Sequence, residues 1–299
     1  RTGDLPTGLA VSPDGEVTYV LRYDGSVTAY DKALKPLWTS RAQALIGSAM
    51  AMSPKGDRLA VGGYPGLAIV DAKDGAVLGE VKAAPCLGSL PIWTVNEVAG
   101  VCWNDAGTIA AACWRNTFKD NQSTRAPLEV ILMDAQGKPL PSPKGAYENA
   151  MGVAFVPGTN TLLIGATSLT AVNAEDGTVL WSNPIKSAQA FAFSADGKRG
   201  AAGGCGDNVG IFSLADGKTH GLAAVGGAVG GVAFLPGGDL AVAAYGRTNP
   251  LLVLRAGQDK AETLFQSRFG FQNVLWSQAL QGLVAAEQGG RIWLLGPDG

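Results

Sequence analysis

Small and large apolar residues alternate in short bursts along this chain, and each burst ends in a turn signal. The bursts read Gly8-Leu9-Ala10-Val11-Ser12, Ala49-Met50-Ala51-Met52-Ser53, Gly100-Val101-Cys102-Trp103-Asn104 and Gly152-Val153-Ala154-Phe155-Val156. They continue as Ala190-Phe191-Ala192-Phe193-Ser194, Gly231-Val232-Ala233-Phe234-Leu235 and Asn273-Val274-Leu275-Trp276-Ser277. A period of two residues is the pattern of a β-strand. The bursts end at positions 12, 53, 104, 156, 194, 235 and 277, so the long-range period is close to forty. Between bursts lie three further short apolar runs: a second ending in small residues, as in Arg58–Gly63, a third ending in a polar cap, as in Tyr30-Asp31, and a fourth after another turn, as in Gly177–Trp181. Four short strands per unit of about forty residues predict blades.

The expected fold is all-β: a seven-bladed β-propeller, mostly four antiparallel strands per blade, spanning residues 1–299 as one domain. The blades start near residues 8, 49, 100, 152, 190, 231 and 273. The third position of the first strand is small in every copy but one: Ala10, Ala51, Cys102, Ala154, Ala192, Ala233 and Leu275. The next position is large: Val11, Met52, Trp103, Phe155, Phe193, Phe234 and Trp276. Successive strand residues face opposite sides, so a bulky side of one blade is expected to stack on a small side of its neighbour. Only Arg1–Leu5 precede the first inner strand, so the last blade either borrows a short strand from there or has three strands.

Composition fits this reading. Gly numbers 42 in 299 residues and charged residues make up only 16%, as expected when strands are packed on both faces. Net charge is −2 without a basic cluster, which argues against nucleic-acid binding through phosphates. The stretch Thr219–Gly238 lacks Asp, Glu, Lys and Arg, but its register suits a fourth strand, a turn and the next first strand, so no membrane span is expected. The chain starts at Arg1 rather than Met, which is read as a processed or trimmed product.

Asp176-Gly177-Thr178-Val179-Leu180-Trp181 resembles the repeat of pyrroloquinoline-quinone propellers. Thr18-Tyr19-Val20 through Asp31 is similar to YVTN-type and WD-repeat propellers, although the Gly-His dipeptide of WD repeats is missing. The resemblance implies a fold rather than an activity. Its quinone-type side implies a bacterial envelope location, periplasmic or extracellular.

Catalytic chemistry is thinly represented. The sole histidine, His220, falls near the outer rim, away from any channel. That argues against a Ser-His-Asp triad and a multi-histidine metal site. The cysteines, Cys86, Cys102, Cys113 and Cys205, lack metal-ligand spacing. Cys102 and Cys113 stand at small-residue positions and read as buried thiols. In an oxidising compartment Cys86–Cys113 is the expected disulfide. Asn96, Glu97, Glu148 and Asn149 precede inner strands, and with them a calcium site at the channel mouth is the alternative. Such a site would serve a lactonase-like hydrolase or a redox-enzyme subunit, since calcium takes carboxylate and amide oxygens.

The segments that break the repeat carry the functional expectation. Arg115–Pro127 is a long insertion after the second strand of blade three, where blade two uses only Tyr64-Pro65-Gly66. Lys82–Glu97 and Leu140–Asn149 are long entries into blades three and four. All three emerge on one face of a propeller. Loops on a rigid scaffold commonly carry binding. The chain is therefore read as a non-catalytic binding or scaffold protein with a protein partner or an extended ligand. Trp93, Asn96, Glu97, Arg115, Asn116, Phe118, Lys119, Arg125, Tyr147 and Asn149 are expected to line one polar-aromatic surface, and Trp103 to be inter-blade core.

Overall fold

A computed structural model describes residues 5–42, 46–64, 66–82, 94–119, 122–125, 129–143, 147, 150–246 and 250–296. Seven antiparallel sheets follow one another along the chain. Blade one is β1 (Pro6–Val11), β2 (Val17–Arg22), β3 (Ser26–Asp31) and β4 (Pro36–Arg41). Blade two is β5 (Ile46–Met52), β6 (Arg58–Tyr64), β7 (Gly66–Asp71) and β8 (Val77–Lys82). Blade three is β9 (Thr94–Trp103), β10 (Ile109–Lys119), β11 (Gln122–Arg125), β12 (Glu129–Met133) and β13 (Pro139–Leu140). Blade four is β14 (Gly152–Phe155), β15 (Thr161–Gly165), β16 (Leu169–Asn173) and β17 (Val179–Asn183). Blade five is β18 (Ala188–Phe193), β19 (Arg199–Gly204), β20 (Asn208–Ser213) and β21 (Thr219–Ala224). Blade six is β22 (Ala228–Phe234), β23 (Leu240–Tyr245), β24 (Pro250–Leu254) and β25 (Ala261–Gln266). Blade seven is β26 (Phe271–Ser277), β27 (Gly282–Glu287) and β28 (Ile292–Leu295). Among the described residues this last blade has three strands; of the alternative closing segment, Arg1–Leu5, all but Leu5 lies outside the described residues.

The turns after the first strands form as their residues dictate. Ser12 Oγ donates to Asp14 Oδ1 at 2.6 Å and accepts from Val17 N at 2.9 Å, while Gly15 takes φ 74°. Ser194 and Asp196 repeat the first contact at 2.6 Å, and Gly197 takes φ 66°. Asx and Ser side chains replace backbone partners in such turns, and Gly supplies the positive φ without a Cβ clash. Residues Thr219–Gly238 form β21, a turn, the whole of β22 and the turn that follows it, so the charge-free stretch is ordinary blade.

The core consists of seven apolar clusters, one at each contact between neighbouring blades. The small-against-large expectation is visible within them. Ala10 meets Met52, Ala51 meets Trp103 and Cys102 meets Phe155. Ala192 meets Phe234 and Ala233 meets Trp276. The one bulky member of the small column, Leu275, shares the ring-closing cluster with Val11, the smallest member of the large column. Volume is thereby conserved where the ends of the ring meet, and dense packing requires that. Trp103 also donates its indole N–H to Ala51 O at 3.1 Å, tying blade three to blade two.

The first strands of adjacent blades come close together, and Gly permits it. A Cβ on Gly231 would lie 2.5 Å from Val274 N and 3.0 Å from Asn273 Cα, both backbone atoms of the next blade. Gly231→Val is therefore expected to lower stability by about 3 kcal/mol or more, because overpacking here must move backbone rather than a side chain. Urea unfolding checks this, and an unchanged midpoint would show that the strands have room to part.

Candidate interaction surface

The insertion in blade three is a β-structure, not the loop that the sequence suggested. In blade two the pairing of the first two strands ends at Ile46 opposite Tyr64. In blade three the equivalent pair is Glu97 opposite Trp114, and the ladder continues with Asn96–Arg115, Val95–Asn116 and Thr94–Thr117. β10 then runs on to Lys119 and turns back into β11, pairing Asn116 with Arg125, Thr117 with Thr124, Phe118 with Ser123 and Lys119 with Gln122. β10 thus exceeds the blade-two register by five residues, roughly 16 Å of strand. The result is a three-stranded arm standing on the face where second-to-third-strand and blade-to-blade connections emerge. The strands of blade three therefore pass through Thr117–Thr124. The signal was present in Thr117, Phe118 and Thr124, which are strand-favouring residues. The opposing Thr94–Glu97 extension is distant in sequence and could not be seen.

Seven of the ten expected surface residues lie on this arm: Asn96 and Glu97 on β9, Arg115, Asn116, Phe118 and Lys119 on β10, and Arg125 on β11. Trp93 and Asn149 fall outside the described residues. Tyr147 lies in the connection into blade four. It is half-buried against the cluster between blades three and four, and burial raises its phenol above the usual tyrosine range. For the calcium expectation, Asn96 and Glu97 take backbone positions opposite Arg115 and Trp114, and Glu148 and Asn149 lie outside the described residues. Among the described residues no group of three or more His, Cys, Asp or Glu side chains converges.

On the same face, a bulge recurs in the first strand of six blades, leaving one extra residue in each: Thr7, Ser48, Ala99, Gln189, Gly230 and Gln272. Bulges re-aim side chains. Gln189 donates through Nε2 to Cys205 Sγ at 2.9 Å, and Gln288 donates to Gln272 at 3.0 Å. These amides make a polar rim.

His220 is exposed on β21 at the outer edge of blade five, far from a base position in a channel. Cys113 is buried between blades two and three, and Cys86 lies outside the described residues, so the expected bridge between them falls there too. Burial pushes the Cys102 thiol up to about 12. At pH 8 that leaves roughly one part in ten thousand as the reactive thiolate. Cys205 is exposed. Iodoacetamide at pH 8 is expected to alkylate Cys205 in minutes and to leave Cys102 untouched in the native protein. Peptide mass mapping reads this out, and rapid labelling of Cys102 would mean that the contact between blades three and four opens easily.

The opposite face carries a feature that sequence reasoning missed. A cavity of about 640 Å³ opens at the turn end of β18, β22 and β26, walled by Phe193, Phe234 and Trp276 with Arg199 at its edge. The aromatic column was legible, but it was expected to be wholly consumed by inter-blade packing.

Seven sheets in sequential order, each packed on the next through one apolar cluster and closed by the Leu275–Val11 contact, define the architecture. The chain is a seven-bladed β-propeller. Known structures agree. The WD40 repeats of RRP9 align with a TM-score of 0.75 at 14% identity, covering 97% of this chain and 90% of that one. U3-55K gives 0.73 at 14% identity, covering 97% and 91%. The Cps50 (Swd1) β-propeller domain of Myceliophteria thermophila gives 0.72 at 18% identity, covering 98% and 96%. At such identities the likeness is one of fold. A PQQ-type repeat family, described as outer membrane protein assembly factor BamB, matches residues 6–116, which cover blades one and two and most of the first two strands of blade three. No curated protein matches the sequence. The propeller is thus similar to WD40 structures in its architecture and to PQQ-type repeats in its sequence, the two groups its turn and strand patterns resemble.

Proposed function

We propose that this propeller is a non-catalytic interaction scaffold that docks a protein partner on the blade-three arm. The observation that carries the reading is the arm itself. Among the described residues, a ring built to a near-constant register departs from it in blade three, by extending three strands together. Extended strands with open edges are templates for another chain, and they are a liability unless used or covered. Arg, Asn, Phe and Lys on β10 are types suited to a polar-aromatic contact. The placement of His220 on the outer edge supports a binding rather than a catalytic role. The WD40 likeness supports a scaffold, and the description of the matching repeat family as an assembly factor supports a partner that is itself a protein of the bacterial envelope. The compartment proposed is accordingly periplasmic or extracellular.

Photo-crosslinking tests this. A photoreactive phenylalanine analogue at Phe118 is expected to give one adduct of discrete mass in the native host. The same group at Lys55, on a turn of the opposite face, is expected to give none. Equal adducts from both positions, or none from Phe118, would remove the arm from the interaction.

A further inference from the structure

The cavity at the turn end of blades five, six and seven is independent of the arm and on the other face. We propose that it is a small-molecule site for a flat aromatic carboxylate, with Arg199 as the group that holds the carboxylate.

The argument starts from the guanidinium. Arg199 opens β19, is half-buried, and places its Cζ 5.5 Å from the centre of the Phe234 ring. Among the described residues its side chain makes no ion pair and no hydrogen bond to a protein acceptor. That is unusual for a group with five donors in a fixed fork. The neighbouring acids have other hydrogen-bond partners. Asp196, which also lines the cavity, accepts from Ser194 Oγ at 2.6 Å and from Lys198 N at 3.1 Å; these contacts, with a smaller contribution from the charges of Arg199 and Lys198, lower its carboxyl below the usual range. Asp239 meets Arg255 Nη1 at 2.8 Å and Ala256 N at 2.8 Å.

The turn beside it also leaves the guanidinium room. Where blades one and five have Asp14-Gly15 and Asp196-Gly197, blade six has Pro236-Gly237-Gly238, with no carboxylate in the turn. Gly238 sits at φ 94°, and a Cβ there would come within 2.7 Å of Arg199 Nη2. The second glycine therefore leaves the space that the guanidinium fills. Phe193, Phe234 and Trp276 supply flat apolar walls in a cavity of about 640 Å³, room for a fused two-ring molecule. Ligand sites commonly join apolar walls to a few placed polar groups. A carboxylate is the acceptor whose geometry matches the fork with two parallel hydrogen bonds. An aromatic ring bearing it can pack edge-on or offset against the aromatic walls.

Calorimetry on the full chain with 2-naphthoate and its neutral amide, 2-naphthamide, tests the site. The acid is expected to bind with one-to-one stoichiometry and about tenfold or more tighter than the amide, the difference expected of a charge-assisted pair. Arg199→Met keeps the packing over Phe234 and is expected to abolish that preference with the melting temperature unchanged. Absence of naphthoate binding at millimolar concentration, equal affinity for acid and amide, or undiminished naphthoate binding by Arg199→Met would each overturn the proposal. The comparison of acid with amide needs only the unaltered protein, so a folding defect in the variant cannot decide the outcome.

Discussion

Replacing Thr117–Thr124 by Asn-Gly is expected to abolish partner capture while shifting the melting temperature by only a few degrees. The design follows from the register. Asn116 and Arg125 are directly opposed in the ladder, so a two-residue turn can join them where eight residues now stand. Asn-Gly is the sequence suited to that tight hairpin. Stability is expected to survive because the described part of β10 that joins the inter-blade clusters is Ile109–Cys113, which the replacement leaves in place. Shortening the connection also changes closure entropy little. The variant does lose the Thr94–Thr117 pair and most of β11, which accounts for the few degrees. The paired readouts are a thermal melt and crosslink yield from Arg115 carrying the photoreactive group, a position kept in both proteins. A variant that melts far lower would make the arm a structural part of blade three. A variant that folds and still captures its partner would place the docking surface elsewhere.

Glu287→Leu is expected to cost about 3 kcal/mol or more, a large share of the 5–15 kcal/mol that holds a typical domain together. Glu287 ends β27 and is 1% exposed, the only carboxylate among the buried residues described. Its two oxygens have different partners. Ser267 Oγ donates to Oε1 at 2.6 Å, and Trp293 Nε1 donates to Oε2 at 2.8 Å. Ser267 lies in the connection from blade six, and Trp293 lies in β28, the outermost described strand of the three-stranded blade. One carboxylate therefore ties the last blade both to its own edge strand and to the preceding blade. Leucine fills similar space but leaves a hydroxyl and an indole N–H without their acceptor, and orphaned donors cost more than the net value of the bonds. Glu287→Gln keeps one acceptor oxygen and is expected to lose roughly half as much. Urea unfolding of the three proteins provides the ranking. Equal midpoints for the wild type and the Leu variant would show that water replaces both contacts.

Sequence determined what depends on near neighbours and on repetition. The small and large columns, the Ser-Asp-Gly turns and the seven bursts specified blades, their number and their mode of stacking, because each feature is local and recurs. Even the Leu275 exception was visible, although its meaning required Val11, which lies 264 residues earlier. Blade three was legible as a departure from period, and seven of the ten residues singled out there fall on the extended strands. Its conformation was not, because Arg115–Lys119 become a strand only when Thr94–Glu97 and Gln122–Arg125 pair on either side. The same limit hid the Glu287 tie and the Arg199 cavity. Ser267 and Trp293 converge on Glu287 only once blade seven folds against blade six, and Arg199 reaches Phe234 only once blades five and six pack. A strand pattern states which side of a residue is buried; which donor meets which acceptor is decided when the ring brings distant segments within hydrogen-bond range.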